Sequence, residues 1–147
     1  MDKNLFLYDL AVVAILKNEG RYIKEWLDYH LLAGVDHFYL FDNDSTDNYN
    51  EIIAPYVKAG LVTSMPLTGK SAQFAAYDFA VHDWRFFCRY MAFVDLDEFI
   101  FPKTGQSIVE TLDEIFSHNP EDNVALTAYL FIAAALNSPK NNLEVSN

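Results

Sequence analysis

Asp95, Asp97 and Glu98 arrive together where an apolar run breaks, in "AFVDLDEFIF" (92–101). Residues i and i+2 of an extended chain face the same way, so Asp95 and Asp97 can converge on one point while Leu96 turns away. Like charges that close raise each other's pKa unless a cation lies between them. Mg²⁺ and Mn²⁺ suit that place. Both prefer oxygen ligands, and Mg²⁺ commonly keeps one or two carboxylates with water and phosphate oxygens completing its shell. The same acids equally suit a strand end capped on a solvated loop. Two more polar clusters, "KNEG" (17–20) and "DNDSTD" (42–47), have comparable double readings. Asp and Asn form Asx turns, Ser45, Thr46 or Asp47 suits a helix cap, and Asn18 or Glu19 suits a helix start.

The elements around these clusters decide whether they meet. "LAVVAIL" (10–16) is a continuous apolar run suited to a strand buried on both faces. Tyr22, Ile23, Trp26, Leu27, His30 and Leu31 then follow at helical spacing, with Gly34 placed as a C-terminal cap. A second strand is expected over 35–41 and a second helix over 48–60, shortened or kinked at Pro55. A short third strand (61–65), a helix over 71–88 and a strand over 90–95 come next, then a helix over 107–117 and a strand over 124–131. This alternation predicts an α/β sandwich with a mainly parallel sheet. Ligands of such sheets gather at the carboxyl ends of the strands, where all three clusters fall.

Composition removes several functions. The 147 residues are 52% apolar and 16% aromatic, enough for one domain with a sizeable core. The net charge of −11 argues against nucleic acid, whose binding rests on Lys and Arg neutralising phosphates. An anionic ligand would need a cation to bring it in. Cys88 is the only cysteine, so no intrachain disulfide forms, and a reducing compartment is expected. The start carries no signal-peptide pattern, and the run Val124 to Leu136 is shorter than the ~20 residues a bilayer span needs. The expectation is a cytoplasmic protein without a transmembrane segment, in solution or at the membrane surface.

The stretch "KNEGRYIKEWLDYHLLAGVDHFYLFDNDSTDNYNEIIAPYVKAGLV", followed by "FVDLDEFIFP", resembles the family-2-like and family-92-like glycosyltransferases of GT-A fold. The K-N-E, E-W-x-x-Y-H, D-N-D-S-T-D and D-x-D-E-F patterns carry the resemblance, in order. It implies a GT-A (Rossmann-like) three-layer α/β sandwich and metal-dependent transfer of a sugar to an acceptor hydroxyl, on a saccharide or another molecule. The donor would be a UDP- or GDP-type nucleotide-sugar, and the cofactor Mn²⁺ or Mg²⁺. Asp97 would then be a metal ligand, Asp95 would contact the metal or the ribose, and Asp42, Asn43 and Glu19 would face the base. Asn43 stands where the family-2 pattern often has a second Asp, which leaves open which residue reads the base.

The resemblance further implies that residues 1–147 form a single nucleotide-sugar-binding domain, with the catalytic base and much of the acceptor site further along. No catalytic residue is assigned. The tail "FIAAALNSPKNNLEVSN" departs from the Gly- and Ser-rich stretch expected there, so donor binding with weak transfer is the expectation for this length of chain.

Other residues have plainer readings. His30 on the apolar helix face reads as a hydrogen-bonded packing residue, Trp26 and Trp84 as core, and Glu98 as a partner orienting Asp97. Lys70 and Gln73 read as a solvated helix entry, with approach to a sugar or phosphate as the alternative. Two other functional classes stay open. A haloacid-dehalogenase-type phosphohydrolase also places D-x-D after a strand, although usually on the first strand and without Phe99 in that place. A non-catalytic module could bind nucleotide-sugar or a protein through the same edge.

Overall fold

The computed structural model describes residues 5–70, 72–102 and 105–118. Four strands, β1 (Tyr8–Leu16), β2 (His37–Asp42), β3 (Val62–Pro66) and β4 (Cys88–Phe93), form one sheet in the order β3-β2-β1-β4. Every pairing in it is parallel. Four helices accompany them: α1 (Gly20–Leu32), α2 (Tyr49–Lys58), α3 (Ala72–Trp84) and α4 (Ile108–His118). The strand expected over 124–131 lies outside the described residues.

Alternation along β1 builds two cores. Leu10, Val12, Ala14 and Leu16 pack with Ile23, Trp26 and Leu27 of α1, Ile53 of α2, and Ile108 and Leu112 of α4. Ala11 and Val13 pack on the other face with Tyr39, Phe41, and Ala76 and Ala80 of α3. A central strand covered on both faces must be apolar throughout, which is why β1 lacks the polar alternation of a half-exposed strand.

The boundaries carry several corrections. α3 stops at Trp84, and a 3₁₀ turn (Arg85–Phe87) leads into β4, which begins at Cys88 paired with Tyr8. Phe86 and Phe87 imitate a helix's apolar positions in sequence yet are exposed. Trp84 is half-buried at the rim of the second core, stacked on Tyr39 at 4.2 Å. Pro55 does not end α2, which continues to Lys58. The Glu51 carbonyl that loses its helical partner belongs to the solvent-facing side, where water can satisfy it. Gly34 follows the Ala33 cap of α1 with φ 105°, the left-handed conformation that ends a helix at little cost for glycine.

Candidate functional site

The order β3-β2-β1-β4 places a topological switch at β1. From β1 the chain crosses by α1 to β2 on one side, and it later returns to β4 on the other. Crevices open at such points, beyond the carboxyl ends of the strands. Here the crevice has a step. Pairing of β4 with β1 stops at Val13↔Phe93, whereas β1 stays paired with β2 as far as Leu16↔Asp42. The chain after β4 therefore turns early and leaves Ile15 and Leu16 as a floor.

A cleft of about 370 Å³ occupies that step, lined by Ile15, Leu16, Lys17, Glu19, Asn43, Asp95, Leu96 and Asp97. A second cleft of about 450 Å³ shares Ile15, Asn43 and Asp95 with it and adds Leu67, Lys70, Gln73 and Phe74. Of the residues singled out in the sequence, Glu19, Asn43, Asp95 and Asp97 thus border one space. Asp42 borders a different hollow, between α2 and β3. Lys70 and Gln73 are exposed at the entry to α3, as expected, and also line the second cleft beside Asp95 and Asn43. Lys17 belongs to the KNEG cluster but has no role of its own in the sequence reading, although its place directly after a buried strand was a usable signal.

The acids sit on a turn, not on an extended chain. The Glu98 N–H donates to the Asp95 carbonyl at 3.0 Å, closing residues 95–98, and buried Leu96 faces the core. Asp95 and Asp97 still reach the same cleft, because the turn takes Leu96 inward and leaves its neighbours outward. Glu98 orients Asp95, where Asp97 had been expected: its carboxylate accepts from the Asp95 N–H at 3.2 Å. Partial burial in the cleft wall, followed by the Asp97 charge, holds Asp95 above the usual carboxylate range. Burial likewise raises Glu98, against the lowering effect of the bond from the Asp95 backbone.

Hydrogen bonds between the first two clusters set the opposite wall. Asn18 and Asp44 adopt positive φ, 54° and 57°. The Asn18 N–H donates to Ser45 Oγ at 2.9 Å, and the Thr46 N–H donates to Asn18 Oδ1 at 2.7 Å. Asp42 Oδ1 accepts from the Ser45 N–H three residues on, at 3.0 Å, which engages Asp42 within its own loop. Asp47 caps two helices. It accepts from the Gly20 N–H at 2.8 Å and from the Tyr49 N–H at 3.2 Å. A Cβ at Gly20 would lie 2.8 Å from Asp47 Oδ2, so a larger residue there would push this carboxylate off the Gly20 amide. Asp47→Ala removes both caps and leaves the buried Gly20 amide without its acceptor, so it should cost about 2 kcal/mol in urea unfolding. A loss below a few tenths would mean that water replaces the carboxylate.

The donor set fits a divalent cation. Among the described residues no group of three or more His, Cys, Asp or Glu side chains is arranged to hold an ion. Two carboxylates border one cleft, and burial followed by the Asp97 charge disfavours the charged form of Asp95; such a pair suits a cation whose shell water and phosphate oxygens would complete.

Comparison with known proteins identifies the family. The model of glycosyltransferase family 92 matches residues 13–137. The chain belongs to glycosyltransferase family 92. A family 92 protein of Ricinus communis is 29% identical over 119 residues, which are 80% of this chain and 21% of that protein. A galactan β-1,4-galactosyltransferase of Arabidopsis thaliana is 30% identical over 96 residues, 58% of this chain and 18% of that protein. The chain thus spans about a fifth of the length of these relatives. The crystal structure of Staphylococcus aureus TarS 1–349 superposes with a TM-score of 0.54 at 22% identity, covering 77% of this chain and 32% of that one. The fold is thereby the α/β fold of GT-A-type glycosyltransferases. Among the described residues no helix is long and apolar enough to cross a membrane.

Proposed function

We propose that this family 92 domain binds the nucleotide-sugar donor of a glycosyl transfer reaction, with Asp95 and Asp97 holding Mn²⁺ or Mg²⁺ against the donor diphosphate. The observation that carries the proposal is the convergence of both acids with Lys17, Glu19, Asn43 and Lys70 on two adjoining clefts at the switch point of the sheet. On a chain of net charge −11, the two lysines place positive charge beside the space a diphosphate would fill. Asn43, shared by both clefts, offers a donor and an acceptor for a base or ribose. Phe74, 82% exposed at the second cleft, offers an aromatic face on which a ring can stack.

When bound, the cation supplies Lewis-acid stabilisation of the leaving diphosphate while an acceptor hydroxyl attacks the anomeric carbon. The chain's own residues orient and neutralise: Lys17 and Lys70 would face the phosphates, Ile15 and Leu16 exclude water from the floor, and Asp95 and Asp97 would hold the shell. The galactan-transferase relatives make a UDP-linked hexose, UDP-galactose above all, the first donor to try. Release of UDP from UDP-galactose should depend on Mn²⁺ and cease with EDTA. Metal-independent release, or phosphate release through an aspartyl-phosphate at Asp95, would reject the assignment.

A further inference from the structure

Three side chains of α1 hold the acidic turn and the chain directly after it without lining the cleft. Trp26, Tyr29 and His30 stand at i, i+3 and i+4, one face of the helix. The Trp26 indole N–H is shared between two carbonyls at either end of the turn, Asp95 O at 3.1 Å and Glu98 O at 2.9 Å. The Tyr29 hydroxyl donates to the Ile100 carbonyl at 2.9 Å. The Ile100 N–H donates to His30 Nε2 at 3.2 Å, which puts the ring proton on Nδ1, where it meets the Trp26 carbonyl at 2.8 Å. Phe99 packs edge-on against Tyr29 and parallel to His30, with centroids 5.0 and 5.8 Å away.

Every one of these bonds goes to backbone. Besides the Glu98 carboxylate that closes it from within, the turn is fixed from behind by bonds that use no carboxylate, which leaves Asp95 and Asp97 turned toward the cleft. The helix that holds it begins at Gly20, directly after Lys17 and Glu19 on the facing wall. One rigid element therefore sets both sides of the cleft. Trp26 and His30 are fully buried, so the bonds are shielded from competing water.

We infer that Trp26, Tyr29 and His30 are positioning residues, a clamp that presets the Asp95–Glu98 turn for metal-dependent nucleotide binding. The inference rests on the donor-site reading for its ligand, and on geometry alone for the clamp. Outer-shell partners of this kind commonly govern about 10–100-fold in metal affinity.

The test uses Trp26→Phe, which keeps an aromatic ring but removes the shared donor, and Tyr29→Phe, which removes one hydroxyl at a half-buried site. Three readouts accompany them: calorimetric affinity for UDP with Mg²⁺, amide hydrogen exchange, and the indole N–H NMR resonance of Trp26 during titration with Mg²⁺ and UDP. Trp26→Phe should weaken binding by about 10–100-fold, and Tyr29→Phe by about fivefold, the equivalent of one hydrogen bond. In each variant, faster exchange should be confined to the Glu98 and Ile100 amides, with the β1 and β2 amides still protected. In the wild type the Trp26 resonance should shift on addition of Mg²⁺ with UDP, and that shift should vanish in Asp97→Asn. A merely structural role would move stability and leave that coupling absent. Folded variants that bind as the wild type does and keep their Glu98 and Ile100 protection overturn the clamp. If the wild type binds no nucleotide with metal, the donor-site reading falls, and the clamp then stands or falls on whether exchange at Glu98 and Ile100 accelerates selectively.

Discussion

Asp97→Asn leaves the fold standing and lowers metal-dependent nucleotide affinity on the order of 100-fold. The substitution preserves shape and one carbonyl oxygen but removes half of the charge that the two carboxylates offer a cation. Mg²⁺ takes few protein ligands and dehydrates reluctantly, so a site built on two acids tolerates the loss of one poorly. Metal-free stability should move the other way or stay level, because the charge that helps to hold Asp95 above its ordinary range is gone. Calorimetry with Mn²⁺ present and absent separates the two effects. Unchanged metal-dependent binding would reduce the two acids to strand-end caps.

Stability should fall as the solution is acidified through the range where His30 stays neutral in the folded chain. Burial pushes its pKa down to about 4 from 6.5, against the raising effect of the bond to the Trp26 carbonyl. The unfolded chain binds a proton below 6.5 and the folded chain does not, so the unfolded state holds more protons between those values. Stability therefore falls as the pH drops through that window, and for this residue it levels off below the window. The loss amounts to about 3 kcal/mol by the lower end for this one residue. His37, also lowered by burial, adds in the same sense. Urea unfolding of the wild type and of His30→Gln, compared at about pH 7 and about pH 5, cancels the His37 contribution. The gap between the two proteins should narrow on acidification. A constant gap would place a proton on folded His30 and break its acceptor role toward Ile100.

Much of this architecture was legible because its signals are local. The apolar run 10–16 and the periodic spacing from Tyr22 to Leu31 each specify one element, and β1 and α1 appear where those patterns lie. The end of α3 was misread because Phe87, three residues after Trp84, continues a helical spacing that sheet pairing at Cys88 overrides. His30 was read correctly as a hydrogen-bonded packing residue, but its partner Ile100 is 70 positions away and no spacing reveals it. Trp26 was read as core, which it is, while the direction of its indole N–H depends on how β4 ends.

The separation of Asp42 from Asn43 has a similar origin. Asp42 is the last residue of β2 and is engaged by the Ser45 amide, whereas Asn43, one residue on, faces the clefts on the β1 side. Pairing register, which stops at Phe93 on β4 and runs to Leu16 on β1, creates the step that collects Lys17, Glu19, Asn43, Asp95 and Asp97. Such a step is a tertiary quantity, and the residue types at its rim only hint at it.

Melting temperature measured with UDP and with GDP, each with Mn²⁺ and with EDTA, tests the donor-site claim most directly. A ligand that binds only the native state raises its stability by mass action, about 2.7 kcal/mol at a hundredfold excess over its dissociation constant. The account predicts a rise that requires nucleotide and metal together, is small with either alone, and disappears in Asp97→Asn. No rise with any nucleoside diphosphate at saturating Mn²⁺, or an equal rise in EDTA, would contradict it.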